Sequence, residues 1–182
     1  MASGERAVAT RSVLRRSLDL LYDVAGWLAA LAMIGTLAMV LIGVAGRLLA
    51  FHLPGTDAYA GYFMAASGFL ALAYTFKRNE HIRVSLLLEH LAPRGRRVLE
   101  IWSLAAGSLL AALFAFYAIR LAWQSYDFND VSTSSDATPL WIPQLAMALG
   151  TLVLLVAFLD DLVSEVRGRR VRSVSAEAAH SE

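Results

Sequence analysis

Four runs in this chain carry no charged side chain, and each is about as long as a bilayer is thick. They cover residues 24–46, 58–76, 101–119 and 137–159, or 23, 19, 19 and 23 residues. As α-helices, 19 residues rise roughly 28 Å and 23 residues roughly 34 Å, against a hydrocarbon core of about 30 Å. A helix satisfies every backbone N–H and C=O within one segment, as an apolar medium demands. The expected fold is therefore all-α and integral to a membrane, with four transmembrane helices holding 84 of the 182 residues. Apolar residues make up 58% of the chain and charged ones 17%, where a soluble domain carries about 25% charged. The first run begins too far from residue 1, and is too long, for a cleaved signal peptide, so it reads as a retained helix.

The net charge of +1 conceals a strong sidedness. Fourteen Lys and Arg residues fall in the N-terminal segment 1–23, the loop 77–100 and the stretch from Arg167 onward. The opposite side holds only Arg47 and Arg120, beside Asp57, Asp127, Asp130 and Asp136. The positive-inside rule then puts both termini in the cytoplasm. Trp27, Trp102, Trp123 and Trp141 all stand near span ends, as membrane-interface tryptophans do. Arg47 and Arg120 lie near outer helix ends, within snorkelling reach of the headgroups.

Between the second and third spans, Val84, Leu87, Leu88 and Leu91 follow i, i+3, i+4, i+7 spacing. That apolar face, starting at Ile82, predicts an interfacial amphipathic helix over 82–91, ended by Pro93 and Gly95. Leu14, Leu18 and Leu21 suggest an amphipathic lead-in to the first span. The outer loop before the fourth span holds Asp127, Asp130 and Asp136 without the spacing of a calcium loop, and reads as a solvated linker. Residues 168–182 have the composition of a disordered tail, leaving 24–167 as the membrane domain. Ser103, Gly107, Ala111 and Ala115 recur every four residues, and Gly61, Ala65 and Gly68 mark the second helix. Small residues of this kind let helices approach closely in lipid.

Much chemistry is missing. No Asp, Glu, Lys, Arg or His lies inside any of the four runs, so none offers the ionisable station of a transport or proton path. The four histidines, all outside the runs, provide no axial pair for haem. With no cysteine there is no disulfide, thiolate metal site or thiol nucleophile, and no phosphate-loop or zinc-protease motif is present. No catalytic, cofactor or metal residue is expected, and nothing points to nucleic acid. Such a chain suits an accessory subunit in a lipid bilayer.

One stretch sharpens this reading. Residues 69–91 run FLALAYTFKRNEHIRVSLLLEHL: an apolar helix end, a basic pair, His-Ile-x-Val and a leucine-rich amphipathic turn. Together with Pro139-Leu-Trp-Ile-Pro-Gln and Met147-Ala-Leu-Gly150, it resembles the small permease subunit of tripartite ATP-independent periplasmic (TRAP) transporters. Ser85 stands where that family often has an aspartate, Ala71 where a glycine is common, and Asp57 where a glutamate often opens the second helix. The resemblance implies a bacterial inner-membrane uptake system for organic acids, with a periplasmic receptor and a large permease subunit. Sodium-coupled transport takes place in the large subunit, whose stationary part the small one supports. In that setting Lys77, Arg78 and His81, with the 82–91 helix, become inner-interface anchors or partner contacts. Arg47, Arg120, Asp127, Asp130 and Asp136 become candidates to face the receptor. Two other readings stay open: a self-contained homo-oligomeric transporter or channel, using Thr36, Ser67, Thr75 and Gln144, and a membrane anchor for an electron-transfer complex.

Overall fold

The structure, a computed structural model, describes residues 2–51, 53–78 and 93–167. The interfacial helix expected over 82–91, with His81, and the tail from residue 168 lie outside them. Four helices make up the described chain: α1 (Ala2–Leu48), α2 (Thr56–Lys77), α3 (Pro93–Asp127) and α4 (Trp141–Val166). Three stretches, Arg15–Leu48, Arg97–Asp127 and Trp141–Val166, are long and apolar enough to cross a membrane. The 22 residues of α2 are not among them, because three tyrosines, two glycines and a serine dilute its apolar content.

The helices outrun the charge-free runs. α1 continues unbroken through the lead-in, so Leu18 and Tyr22 lie on the same rod as the first span. α3 extends from Pro93 to Asp127, past both ends of 101–119. Charge marks where a helix leaves hydrocarbon, not where it ends, since Arg and Glu are good helix formers in water. α4 begins at Trp141 rather than at residue 137 and runs on to Val166. Its late start follows from Pro139 and from Ala137, which sits at φ 48° in the preceding turn. Pro143 is tolerated in the first turn, where a missing N–H removes no intrahelical bond.

Two helix ends share one device. At α1, Ala50 has φ 54° and the Phe51 N–H donates to the Gly46 carbonyl at 3.0 Å. At α3, Asn129 has φ 53°, the Asp130 N–H donates to the Ser125 carbonyl at 3.0 Å, and the Asn129 N–H donates to the Tyr126 carbonyl at 3.2 Å. Both are left-handed caps that satisfy carbonyls the helix leaves bare.

The helices form a row in the order α1, α2, α4, α3. α1 packs on α2, α2 on α4, and α4 on α3, while α1 barely touches α4. A Phe69–Phe114 ring contact, centroids 5.7 Å apart, is the described link between α2 and α3. The seams are made mostly of small residues, at alternating spacings of three and four. On α1 they include Tyr22, Ala25, Ala29 and Ala32; on α3, Leu104, Ser108, Ala111, Ala115, Ala118, Ala122 and Ser125, all buried. This period of 3.5 is that of left-handed helix packing.

It also corrects the small-residue stripe expected on α3. Ala111 and Ala115 are buried and Gly107 receives the Phe158 ring, but Ser103 is exposed. A strict four-residue step advances about 400° on a helix of 3.6 residues per turn, so such a stripe drifts off the contact face within a few steps. Glycines carry the close approaches elsewhere. The Tyr74 ring covers Gly26, the Phe63 ring covers Gly35, and the Phe69 carbonyl lies against Gly150. Gly61 and Gly68 have open space where a side chain would be, and Gly61, Ala65 and Gly68 all face outward.

Candidate functional site

Polar side chains gather at the two ends of the α2–α4 pair. At one end Lys77, the last residue of α2, reaches Asp160 and Asp161 on the last turns of α4. Its Nζ donates to Asp160 Oδ2 and, at 2.9 Å, to Asp161 Oδ1. The three side chains are 22%, 34% and 16% exposed, so this is a half-buried ion-pair cluster rather than a surface pair. Lys77 Nζ also lies 5.2 Å from the centroid of the Tyr22 ring on α1, and the Tyr22 hydroxyl is buried without a hydrogen-bond partner. Arg78 is exposed, with its guanidinium 4.7 Å from the Tyr74 ring.

At the other end the segment between α3 and α4 is largely exposed, as a solvated linker should be, yet it is folded. Val131 pairs with Pro139 in an antiparallel bridge, the Ser132 N–H donates to the Thr138 carbonyl at 2.8 Å, and the Leu140 N–H to the Asp130 carbonyl at 2.9 Å. Asp136 organises the turn. Its carboxylate accepts from Ser132 Oγ at 2.8 Å and from the Tyr62 hydroxyl of α2 at 3.1 Å. Thr138 Oγ1 and the Tyr59 hydroxyl are hydrogen-bonded at 3.1 Å. Desolvation alone would raise the Asp136 pKa. Hydrogen bonds from Thr138, Ser132, Tyr62 and its own backbone outweigh it and hold the carboxyl below its ordinary value. Gly55, at φ 85°, caps the start of α2 directly against Asp136.

The remaining charged residues at this end stay apart from that turn. Arg47 and Asp57 form a pair at 3.3 Å, with side chains 72% and 85% exposed. It borders a notch of about 310 Å³ lined by Gly43, Gly46, Ala50, Phe51 and Thr56. Arg120, Asp127 and Asp130 are exposed. Trp27, Trp102 and Trp123 are largely exposed, as interface tryptophans would be. The Trp141 ring meets Tyr126 edge-on at 5.8 Å, above an apolar groove of about 480 Å³ between α3 and α4.

Between the two ends the described residues hold little that could carry a solute. Thr36, Thr75, Ser108 and Thr151 each donate to a carbonyl three or four residues back in their own helix. No group of three or more His, Cys, Asp or Glu that could hold a metal occurs among the described residues. Sequence reasoning missed the Lys77–Asp160–Asp161 cluster and the Tyr62–Asp136 contact. The available signal was a lysine and an aspartate pair at the same predicted depth on different spans.

A family model described as "Tripartite ATP-independent periplasmic transporters, DctQ component" matches residues 36–168. The chain belongs to this family. The match takes in α2, α3 and α4, the last 13 residues of α1 and the polar side chains at both ends of the α2–α4 pair. It makes the chain a small membrane subunit of a TRAP transporter, a transporter component rather than a member of an enzyme family. With three helices able to span a bilayer, the TRAP subunit is a multi-pass membrane protein. A search of curated proteins found no match.

Proposed function

We propose that this TRAP subunit supports and anchors the large permease subunit of an organic-acid uptake system in a bacterial inner membrane. In this reading all four helices cross the bilayer, with both termini cytoplasmic. Sodium-coupled movement of the solute takes place in the large subunit, and a periplasmic receptor delivers the solute. α2 crosses with the others because the spans α1 and α4 flank it on either side.

One observation carries the reading. The described interior between the polar ends has no Asp, Glu, Lys, Arg or His, and its hydroxyls at Thr36, Thr75, Ser108 and Thr151 are satisfied within their own helices. A row of helices also encloses no lumen of its own. Both facts favour a stationary support over a self-contained channel. Lys77 and Arg78 mark the depth of the inner boundary, through the ion-pair cluster and the Tyr74 contact respectively. Arg120, Asp127 and Asp130, exposed at the opposite end, are the candidates to face the receptor, with the Arg47–Asp57 pair at the rim.

Alanine substitutions at Arg120, Asp127 and Asp130 test this directly. Uptake into cells should fall while the amount of assembled large-and-small-subunit complex stays constant. Unchanged uptake would remove the receptor-facing assignment, and failure of a tagged chain to co-purify with a larger multispanning protein would remove the supporting role.

A further inference from the structure

We propose that the groove between α3 and α4 binds one phospholipid with a zwitterionic, primary-amine headgroup, in the leaflet on the side of the α3–α4 loop. The groove has an apolar lining and a volume of about 480 Å³, within the range of about 300–1,000 Å³ for small-ligand pockets. Ala122 and Ala148, both buried in the seam, form its floor, with Leu145, Leu149 and Leu152 beside them. From Trp141 to Leu152 it follows eleven residues of α4. That is roughly 16 Å of helix, against about 15 Å for half of a hydrocarbon core. Leu152 stands near the middle of the 26 residues of α4, so the groove serves one leaflet and stops. A neighbouring transmembrane helix would need a furrow through both leaflets, whereas an acyl chain needs one.

The mouth of the groove has the polarity of a headgroup site. Tyr126 and Trp141 meet edge-on across it, and Trp123 stands beside them, 67% exposed. Their O–H and N–H groups are donors at the boundary where lipid ester carbonyls lie. Arg120, Trp123 and Asp127 follow at i, i+3 and i+7 along one side of α3. Asp127 is roughly 10 Å nearer the loop than Arg120. Both charged side chains are exposed, and neither has a partner among the described contacts. The cation thus stands on the hydrocarbon side of the mouth and the carboxylate on the water side, with exposed Asp130 beyond it. A zwitterionic phospholipid carries its charges in the complementary order, phosphate below and ammonium above. Arg120 would snorkel to the phosphate, and Asp127 would accept from the ammonium. An anionic headgroup would meet the same arginine but bring its net negative charge towards two carboxylates. The inference does not rest on the receptor-facing role of these residues, since lipid binding is read on the chain without a receptor.

Trp27→Phe with Trp102→Phe leaves Trp123 and Trp141, at the mouth, as the only tryptophans. This full-length chain would be reconstituted in vesicles of equal parts phosphatidylethanolamine and phosphatidylglycerol, with acyl chains brominated near the glycerol on one lipid at a time. Bromine in contact with an indole quenches its fluorescence, so the two series give a relative affinity at the groove. Phosphatidylethanolamine should be preferred by roughly threefold, the size expected of one exposed ion pair. Arg120→Gln with Asp127→Asn should bring the two lipids to parity. Native mass spectrometry of the unsubstituted chain, released from the same vesicles, should retain one phosphatidylethanolamine. Equal quenching by both lipids before the charges are removed would overturn the site, as would a preference that survives their removal. Loss of quenching when the large subunit is added would give the groove to a partner helix and overturn it as well.

Discussion

At φ 85°, Gly55 adopts a backbone conformation that an L side chain resists, and a Cβ there would meet the Asp136 Cβ at 2.7 Å. The turn into α2 and the seat of the outer loop thus depend on one missing methyl group. Gly55→Ala should destabilise the chain by about 1–2 kcal/mol, the cost of a left-handed residue with a side chain. A lower thermal midpoint of the purified protein in detergent would register it, and an unchanged midpoint would contradict the geometry. Little of this was legible beforehand. Gly55 follows a proline and announces a turn, but its neighbour Asp136 is 81 residues away in sequence. The same holds for Lys77, whose partners stand 83 and 84 residues further on. A positive residue at a span end reads as a headgroup anchor until the fold brings two carboxylates to it.

Among the elements, α3 shows how local pattern and packing diverge. Its stripe of small residues at four-residue steps pointed to a packing helix, yet the buried face follows Leu104, Ser108, Ala111, Ala115, Ala118, Ala122 and Ser125. Two of those seven belonged to the expected stripe, because only a 3.5-residue period stays against a neighbour over six turns. The loop between α3 and α4 combines a local property with a distant one. Asp127 and Asp130 are exposed, as a solvated linker implies, while Asp136 closes the loop onto α2. The Asp136 carboxyl is held below its ordinary value, so its contribution is fully present above the unfolded aspartate pKa of about 3.9 and fades as pH falls below it. Amide exchange in residues 128–140 should therefore accelerate on acidification below about pH 4, and Asp136→Asn should abolish that pH dependence. Exchange that ignores pH in the unsubstituted protein, beyond its intrinsic rate, would contradict the assignment.

For the whole molecule, the order α1, α2, α4, α3 is the feature with most consequence. A row offers two broad faces and two edges where a square bundle would offer a core, and among the described residues it presents no internal route for a polar solute. Reconstituted alone in liposomes, the chain should therefore show no solute flux above protein-free vesicles, and accumulation against a gradient would refute the supporting role. The sequence by itself determined the charge-free runs, the exclusion of Asp, Glu, Lys, Arg and His from them, and the resemblance that the family match then bore out. Each of these is a local property, written in consecutive residues. Only the tertiary structure decided which helices are neighbours, that Lys77 is paired, and that Asp136 faces α2. Contacts between residues 74 to 84 positions apart depend on how the whole chain closes up, and no periodicity within one helix encodes its partner.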